Sequence, residues 1–201
     1  MEKFVRVKGV AAPLPLANVD TDMIIPARYM KALTRTGLGR HLFQELRFDD
    51  ADRERASFVL NRPACRDARI LVADRNFGCG SSREHAVWAL TDFGIRCVIA
   101  PSFGDIFSGN ARKNGLLLIR LSETLCDHLR REIALAQHAA IEVDLAAQRI
   151  RLASGETIAF DVDTDDRHIL MEGLDDITRT LRHADAIARF EAAIESLMTI
   201  P

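Results

Sequence analysis

Between the apolar run Ile70-Leu-Val-Ala73 and the helical pattern Ala86-Val-Trp-Ala-Leu90 lies Asn76-Phe-Gly-Cys-Gly-Ser-Ser-Arg-Glu-His85, the segment that most constrains this chain. A short continuous apolar run bounded by turn residues reads as a buried strand, so the segment is a strand-to-helix loop. Gly78 and Gly80 permit positive φ and close approach of backbone. The first turn of the following helix directs unpaired N–H groups and a partial positive charge into the same loop. Ser81 and Ser82 add two hydroxyls, and Arg83 adds a planar cation suited to carboxylates. Such a loop stabilises an anion, whether a carboxylate, a phosphate or an alkoxide. Ser81 and Glu84 also stand at the Ser-x-x-Glu spacing of a capping box, the plainer reading of the same residues. A second serine, an arginine and two glycines exceed what capping requires.

The remaining patterns predict a β/α unit with later additions. Phe4-Val-Arg-Val-Lys-Gly-Val10 alternates as a strand, and Ala12-Pro-Leu-Pro15 breaks it. Cys97-Val-Ile-Ala100 and Leu116-Leu-Leu-Ile119 read as further buried strands, and a helix from Ser82 to Phe93 makes a βαβ crossover to the first of them, hence a parallel core. Residues 28–62 are richer in charge and turn signals, with Thr34-Arg-Thr-Gly-Leu-Gly39 expected to be a mobile loop. Leu125, Leu129 and Ile133 mark a core-facing stripe on a helix from Glu123 to Ala139. Ile141-Glu-Val-Asp144, Arg149-Ile-Arg-Leu152 and Thr157-Ile-Ala-Phe160 predict short strands, the last two joined through Ala153-Ser-Gly-Glu156. Helices are expected over Asp165 to Gly173, with Gly173 as the C-cap, and over Ala184 to Met198.

Charge and cysteine usage exclude several classes. A net charge of −2 and a pI near 6.3 give no electrostatic footprint for nucleic acid or an anionic membrane. No segment reaches the roughly 20 apolar residues that span a bilayer, and Met1-Glu-Lys-Phe-Val-Arg-Val7 has no apolar leader core, so a cytoplasmic protein is expected. Cys65, Cys79, Cys97 and Cys126 form no Cys-x-x-Cys pair, which argues against a zinc ribbon or a local cluster site. Cys97 and Cys126 sit in apolar patterns and are expected in the core. Cys79, in the anion loop beside Arg83, has the setting of a cysteine nucleophile, the least favoured role for this loop.

The segment from Asn76 to His85 closely resembles the signature of the aconitase superfamily, and within it that of the small-subunit family of the 3-isopropylmalate dehydratases. Asn18-Val-Asp-Thr-Asp-Met-Ile-Ile-Pro26 is similar to that family's N-terminal motif, Val98-Ile-Ala-Pro-Ser-Phe-Gly-Asp-Ile-Phe-Ser-Gly-Asn110 to its third motif, and His168-Ile-Leu-Met-Glu-Gly-Leu-Asp-Asp176 to its tail. The likeness therefore spans nearly the whole chain, in order. It implies an α/β protein with the swivelling β/β/α fold of the aconitase C-terminal domain followed by C-terminal helices, as a single domain over residues 1–201. It implies a hydro-lyase subunit of leucine biosynthesis that interconverts 2-isopropylmalate and 3-isopropylmalate and is active only with a large subunit. The family's 4Fe-4S cluster is then held by the large subunit, and this chain binds no metal alone.

Moving a hydroxyl between adjacent carbons needs a Lewis acid for the hydroxyl and a base for a weakly acidic C–H beside a carboxylate. In the superfamily these are one iron of the cluster and a serine alkoxide; the matching serine is Ser81, with Ser82 and Arg83 binding substrate carboxylate. Thr21-Asp22 resembles an aconitase Thr-Asp pair near the active site, which makes Asp22 a candidate to orient Arg83 or a main-chain donor; an Asx turn is its plainer role. Aconitase holds its substrate's extra carboxylate with an arginine downstream of that pair, and neither Arg28 nor Arg35 aligns with it. That departure fits an isopropyl group, with an apolar wall drawn from Met23, Ile24, Ile25, Tyr29, Met30 or Leu33. His85 is expected to be satisfied by a local carbonyl, and the Asn110-Ala-Arg-Lys-Asn-Gly115 end to be solvated. A related citraconate or homoaconitate hydratase and a non-catalytic anion-binding module remain the alternative readings.

Overall fold

The computed structural model describes residues 1–31, 33–135 and 140–198, with side chains through residue 194. Seven strands form a sheet in the order β4-β3-β2-β1-β5-β6-β7. They are β1 (Arg6–Pro13), β2 (Ala68–Val72), β3 (Cys97–Ala100), β4 (Leu117–Arg120), β5 (Ala140–Asp144), β6 (Arg149–Arg151) and β7 (Thr157–Ala159). The first four are mutually parallel, and β5 to β7 add an antiparallel wing through the β1–β5 pairing. The helices are α1 (Thr21–Ile24), α2 (Gln44–Arg47), α3 (Glu84–Phe93), α4 (Asp105–Lys113), α5 (Glu123–Leu135), α6 (Thr164–Glu172), α7 (Asp176–Leu181) and α8 (Ala184–Met198).

The parallel strands are apolar throughout because both of their faces are covered. Leu71 and Val98 point into a core shared with Val87 and Leu90 of α3 and Phe107 of α4. Their neighbours Ile70, Val72, Cys97 and Ile99 point the other way, onto Cys126, Leu129 and Ile133 of α5 and onto Val143 and Ile150 of the antiparallel wing. Each fully buried Leu, Ile or Phe contributes roughly 1.5–3 kcal/mol, so this two-sided alternation is the main source of cohesion. No helix among the described residues is long and apolar enough to cross a membrane.

Several boundaries differ from expectation. β1 runs through Pro13 instead of stopping before Ala12. The N–H of Leu14 donates to Val72 O at 2.9 Å, so the Pro13 nitrogen faces the opposite edge, where the pairing with β5 ends at Val10 among the described residues. A missing donor costs nothing on that side. The loop expected to be mobile from Thr34 to Gly39 is pinned at its end: Leu38 and Gly39 are buried, and Gly39 N donates to Asp92 Oδ2 at 2.6 Å. Ile24 and Ile25, candidates for the pocket wall, are fully buried core residues, whereas Leu33 is almost wholly exposed. The last four residues of the expected Glu123 to Ala139 helix lie outside the described residues. α7 was not anticipated; its Ile177 and Leu181 stand four apart but are exposed, and its local signal is Asp175, whose carboxylate accepts from Thr178 N at 2.7 Å.

The loops at the carboxyl ends of β1, β2 and β3 pack backbone to backbone. A Cβ on Gly78 (φ +73°) would lie 2.2 Å from the Phe107 ring, and one on Gly104 would lie 2.4 Å from the Gly78 carbonyl oxygen. A Cβ on Gly109, inside α4, would meet nothing within 4 Å. We expect Gly78→Ala to destabilise the chain by about 3 kcal/mol, from φ strain plus overpacking, and Gly109→Ala to stabilise it by roughly 0.5–1 kcal/mol. Urea midpoints at unchanged m-value check both signs.

Candidate active site

Asn18-to-Pro26, Asn76-to-His85 and Ser102-to-Asn110 leave the carboxyl ends of adjacent parallel strands, where open α/β sheets bind ligands. The structure joins them through main-chain bonds. Gly78 N donates to Val19 O at 2.7 Å, Thr21 N to Cys79 O at 3.0 Å, Phe77 N to Ser102 O at 3.0 Å and Gly104 N to Phe77 O at 3.0 Å. Asn18 and Asn76, both at positive φ, are linked by Asn76 Nδ2 donating to Asn18 Oδ1 at 2.9 Å. Phe77 is fully buried and meets the rings of Phe103 and Phe107 edge-on at centroid distances of 6.5 and 5.5 Å, anchoring the loop from beneath.

Above that anchor, Gly80, Ser81 and Ser82 are exposed and Arg83 is half-buried. The capping box does not form. α3 begins at Glu84 with Arg83 at its N-cap; the Arg83 side chain makes no capping hydrogen bond, and Ala86 N donates to Arg83 O at 3.2 Å. Thr21, 2% exposed, donates its hydroxyl to Ser81 O at 3.0 Å and so holds the loop instead of facing solvent. Asp22 forms an ion pair with Arg83 Nη1. The approach lies off the N–H directions, and Nη1 is the one buried side-chain nitrogen or oxygen among the described residues with no hydrogen-bond partner. Sequence reasoning missed Asp20, whose carboxylate accepts from Met23 N at 2.7 Å and caps α1; its signal was an Asp ahead of Thr-Asp at a strand-to-helix turn.

Further residues fall around this center. The His85 ring lies 4.6 Å from that of Trp88, and the Arg35 guanidinium lies over Trp88 at 5.3 Å. Arg28 is committed to Glu45 at 2.6 Å. The four thiols are all free and do not converge on the loop: Cys97 and Cys126 are buried beneath the sheet, and Cys65 sits in a turn, Pro63–Cys65. Burial pushes the Cys97 thiol up and the Cys126 thiol up to about 11, so neither is a ready thiolate. No group of three or more His, Cys, Asp or Glu side chains among the described residues could hold a metal ion. Cys97 and Cys126 under the sheet and Cys65 in its separate turn do not sit with Cys79 as the thiolate set that an iron–sulfur cluster needs.

Comparison with known proteins agrees with this architecture. The model of the aconitase C-terminal domain matches residues 1–124, and one described as LeuD_N matches residues 127–164. The chain is 57% identical to the 3-isopropylmalate dehydratase small subunit of Rhodospirillum centenum, covering 96% of this chain and 95% of that one. It is 56% identical to the small subunit of the same name from Paramagnetospirillum magneticum, covering 95% of each. Among solved structures it is similar to 3-isopropylmalate dehydratase (leuD) from Methanocaldococcus jannaschii, with a TM-score of 0.68 and 28% identity over 92% of this chain and 98% of that one.

Because Thr21 satisfies the Ser81 carbonyl from a buried position, Thr21→Val should cost about 1 kcal/mol, the net worth of one hydrogen bond, while Thr21→Ser should retain most of it. Equal denaturation midpoints for Thr21→Val and the parent would refute this tie.

Proposed function

Since this chain belongs to the small-subunit family of the 3-isopropylmalate dehydratases, within the aconitase superfamily, we propose that it supplies the base and the carboxylate-binding loop for interconverting 2-isopropylmalate and 3-isopropylmalate. It does so as one domain over residues 1–201, paired with a large subunit that holds the 4Fe-4S cluster. The observation that carries this reading is Arg83, held by an ion pair with Asp22 at the N-terminus of α3, two residues from the exposed Ser81.

The parts of this chain divide the work. Ser81 Oγ, as the alkoxide, takes the proton from the carbon next to a carboxylate and returns it when water adds in the opposite sense. An ordinary serine hydroxyl is far too weak an acid for this, so the alkoxide must be stabilised by nearby positive charge and N–H donors. Arg83 and the first amides of α3 supply both. The Arg83 guanidinium also pairs with a substrate carboxylate, with the exposed hydroxyl of Ser82 as a second donor. Asp22 holds the guanidinium in place, and Thr21 holds the Ser81 main chain. Among the described residues of the loop after α1, Arg28 is bound to Glu45, Arg35 lies on Trp88 and Arg40 donates to His41 Nε2 at 3.0 Å. An apolar substituent suits that side better than a third carboxylate.

The test is anaerobic reconstitution with a large subunit, assayed against 2-isopropylmalate, citraconate and citrate; the highest kcat/KM should belong to 2-isopropylmalate. Ser81→Ala in the assembled enzyme should lower turnover by at least about a hundredfold, the lower range for losing a general base. Near-normal turnover in that variant would sink the base assignment, and a preference for citrate would sink the substrate.

A further inference from the structure

Arg83 has a second acidic neighbour besides Asp22. Glu84 follows it directly, in the first turn of α3, where a carboxylate is drawn both to the guanidinium and to the helix N-terminus. Left to itself, this side chain would compete for the anion site from within, as a tethered carboxylate at high effective local concentration. In the structure it is turned away. Asn114, the C-cap of α4, donates from Nδ2 to Glu84 Oε1 at 2.8 Å and to Asn110 O at 2.9 Å. The amide cannot rotate to offer its oxygen instead, because Trp88 Nε1 donates to Asn114 Oδ1 at 3.0 Å. A flip would set N–H against N–H and the amide oxygen against two acceptors. α3 thus carries both the tethered carboxylate and the indole that fixes the tether's orientation.

We propose that Asn114 is a positioning residue for the anion site: it holds the Glu84 carboxylate off Arg83, keeping the guanidinium open to a substrate carboxylate. The inference rests on the reading that Arg83 binds that carboxylate. It gives the Asn110-to-Gly115 end, expected from sequence to be a solvated helix end, a part in substrate binding without substrate contact. Its chemistry is negative: the network prevents a self-made inhibitor from forming.

The discriminating substitutions reverse the polarity of one hydrogen bond. Asn114→Asp is isosteric and still accepts from Trp88, but it cannot donate to Glu84 and repels it. In the reconstituted two-chain enzyme this variant should raise KM for 2-isopropylmalate about tenfold with kcat within about twofold, as expected if Glu84 occupies the site nine-tenths of the time. The double variant Glu84→Gln, Asn114→Asp restores the bond, with the Gln amide donating to the new carboxylate, and removes the competing charge beside Arg83. Its KM should return to within about twofold of the parent, the residual competent fraction then being close to one. An unchanged KM in Asn114→Asp overturns the inference. So does a double variant no better than the single one, or a fall in thermal stability and kcat that Glu84→Gln leaves uncorrected, since a purely structural asparagine would behave that way. Arg83→Lys, measured alongside, isolates the underlying reading. If it leaves KM and kcat untouched, Arg83 does not bind the carboxylate and both readings fall, whereas a damaged Arg83→Lys with an indifferent Asn114→Asp removes the Asn114 role alone.

Discussion

The site depends on a contact between two main chains. Gly104 lies against the carbonyl of Gly78 so closely that a Cβ there would be 2.4 Å from the oxygen. Gly78 N is at the same time bonded to Val19 O, so the loops leaving β1, β2 and β3 are locked at one point where side chains are nearly absent. Backbone contacts of this kind tolerate little adjustment, because neither partner has a rotamer to change. Ser81, Ser82 and Arg83 inherit their positions from this lock and from the buried Phe77 beneath it. Rigid support below and exposed donors above is what a preorganised anion site requires.

Electrostatically, the site is a cation between two carboxylates that must not neutralise it. Asp22 stays beside Arg83, but off its N–H axes, so the pair fixes the guanidinium while leaving a donor unspent. Glu84 is held by Asn114 on the α4 side. An α3 N-terminus without a side-chain cap adds its partial charge in the same direction. Ordinary helix starts satisfy those amides with a Ser or Asp; here the serine at the capping-box spacing lies outside the N-cap, which frees its hydroxyl for other chemistry.

Local sequence rules described the parallel core well. Ile70 to Ala73, Cys97 to Ala100 and Leu116 to Ile119 are continuous apolar runs, and a strand covered on both faces can have no other pattern, so they mapped onto β2, β3 and β4 within a residue or two. The Gly155 hairpin and the Gly173 helix end were equally legible, because both need a residue at home at positive φ. α1, α2 and α7 were not, since helices of four to six residues are too short for a 3.6-residue period to show. Arg47 and Arg130 were missed for a related reason: they are buried among carbonyl and side-chain acceptors supplied by other segments, against the usual exposure of arginine.

What the sequence determined by itself was the presence of a glycine- and serine-rich loop between a strand and a helix, the residue types it contains, and the family likeness those types carry. Chemistry of that sort is local, set by glycine's conformational range and the charge at a helix start. Only the tertiary structure decided which residues meet around it. Thr21 reaches Ser81 across 60 positions because adjacent parallel strands deliver their loops to one end of the sheet, and Asn114 reaches Glu84 across 30 because α4 packs against α3. The same Ser-x-x-Glu that reads as a helix cap becomes an exposed hydroxyl and a tethered carboxylate, because a neighbour from another helix makes the better hydrogen bond.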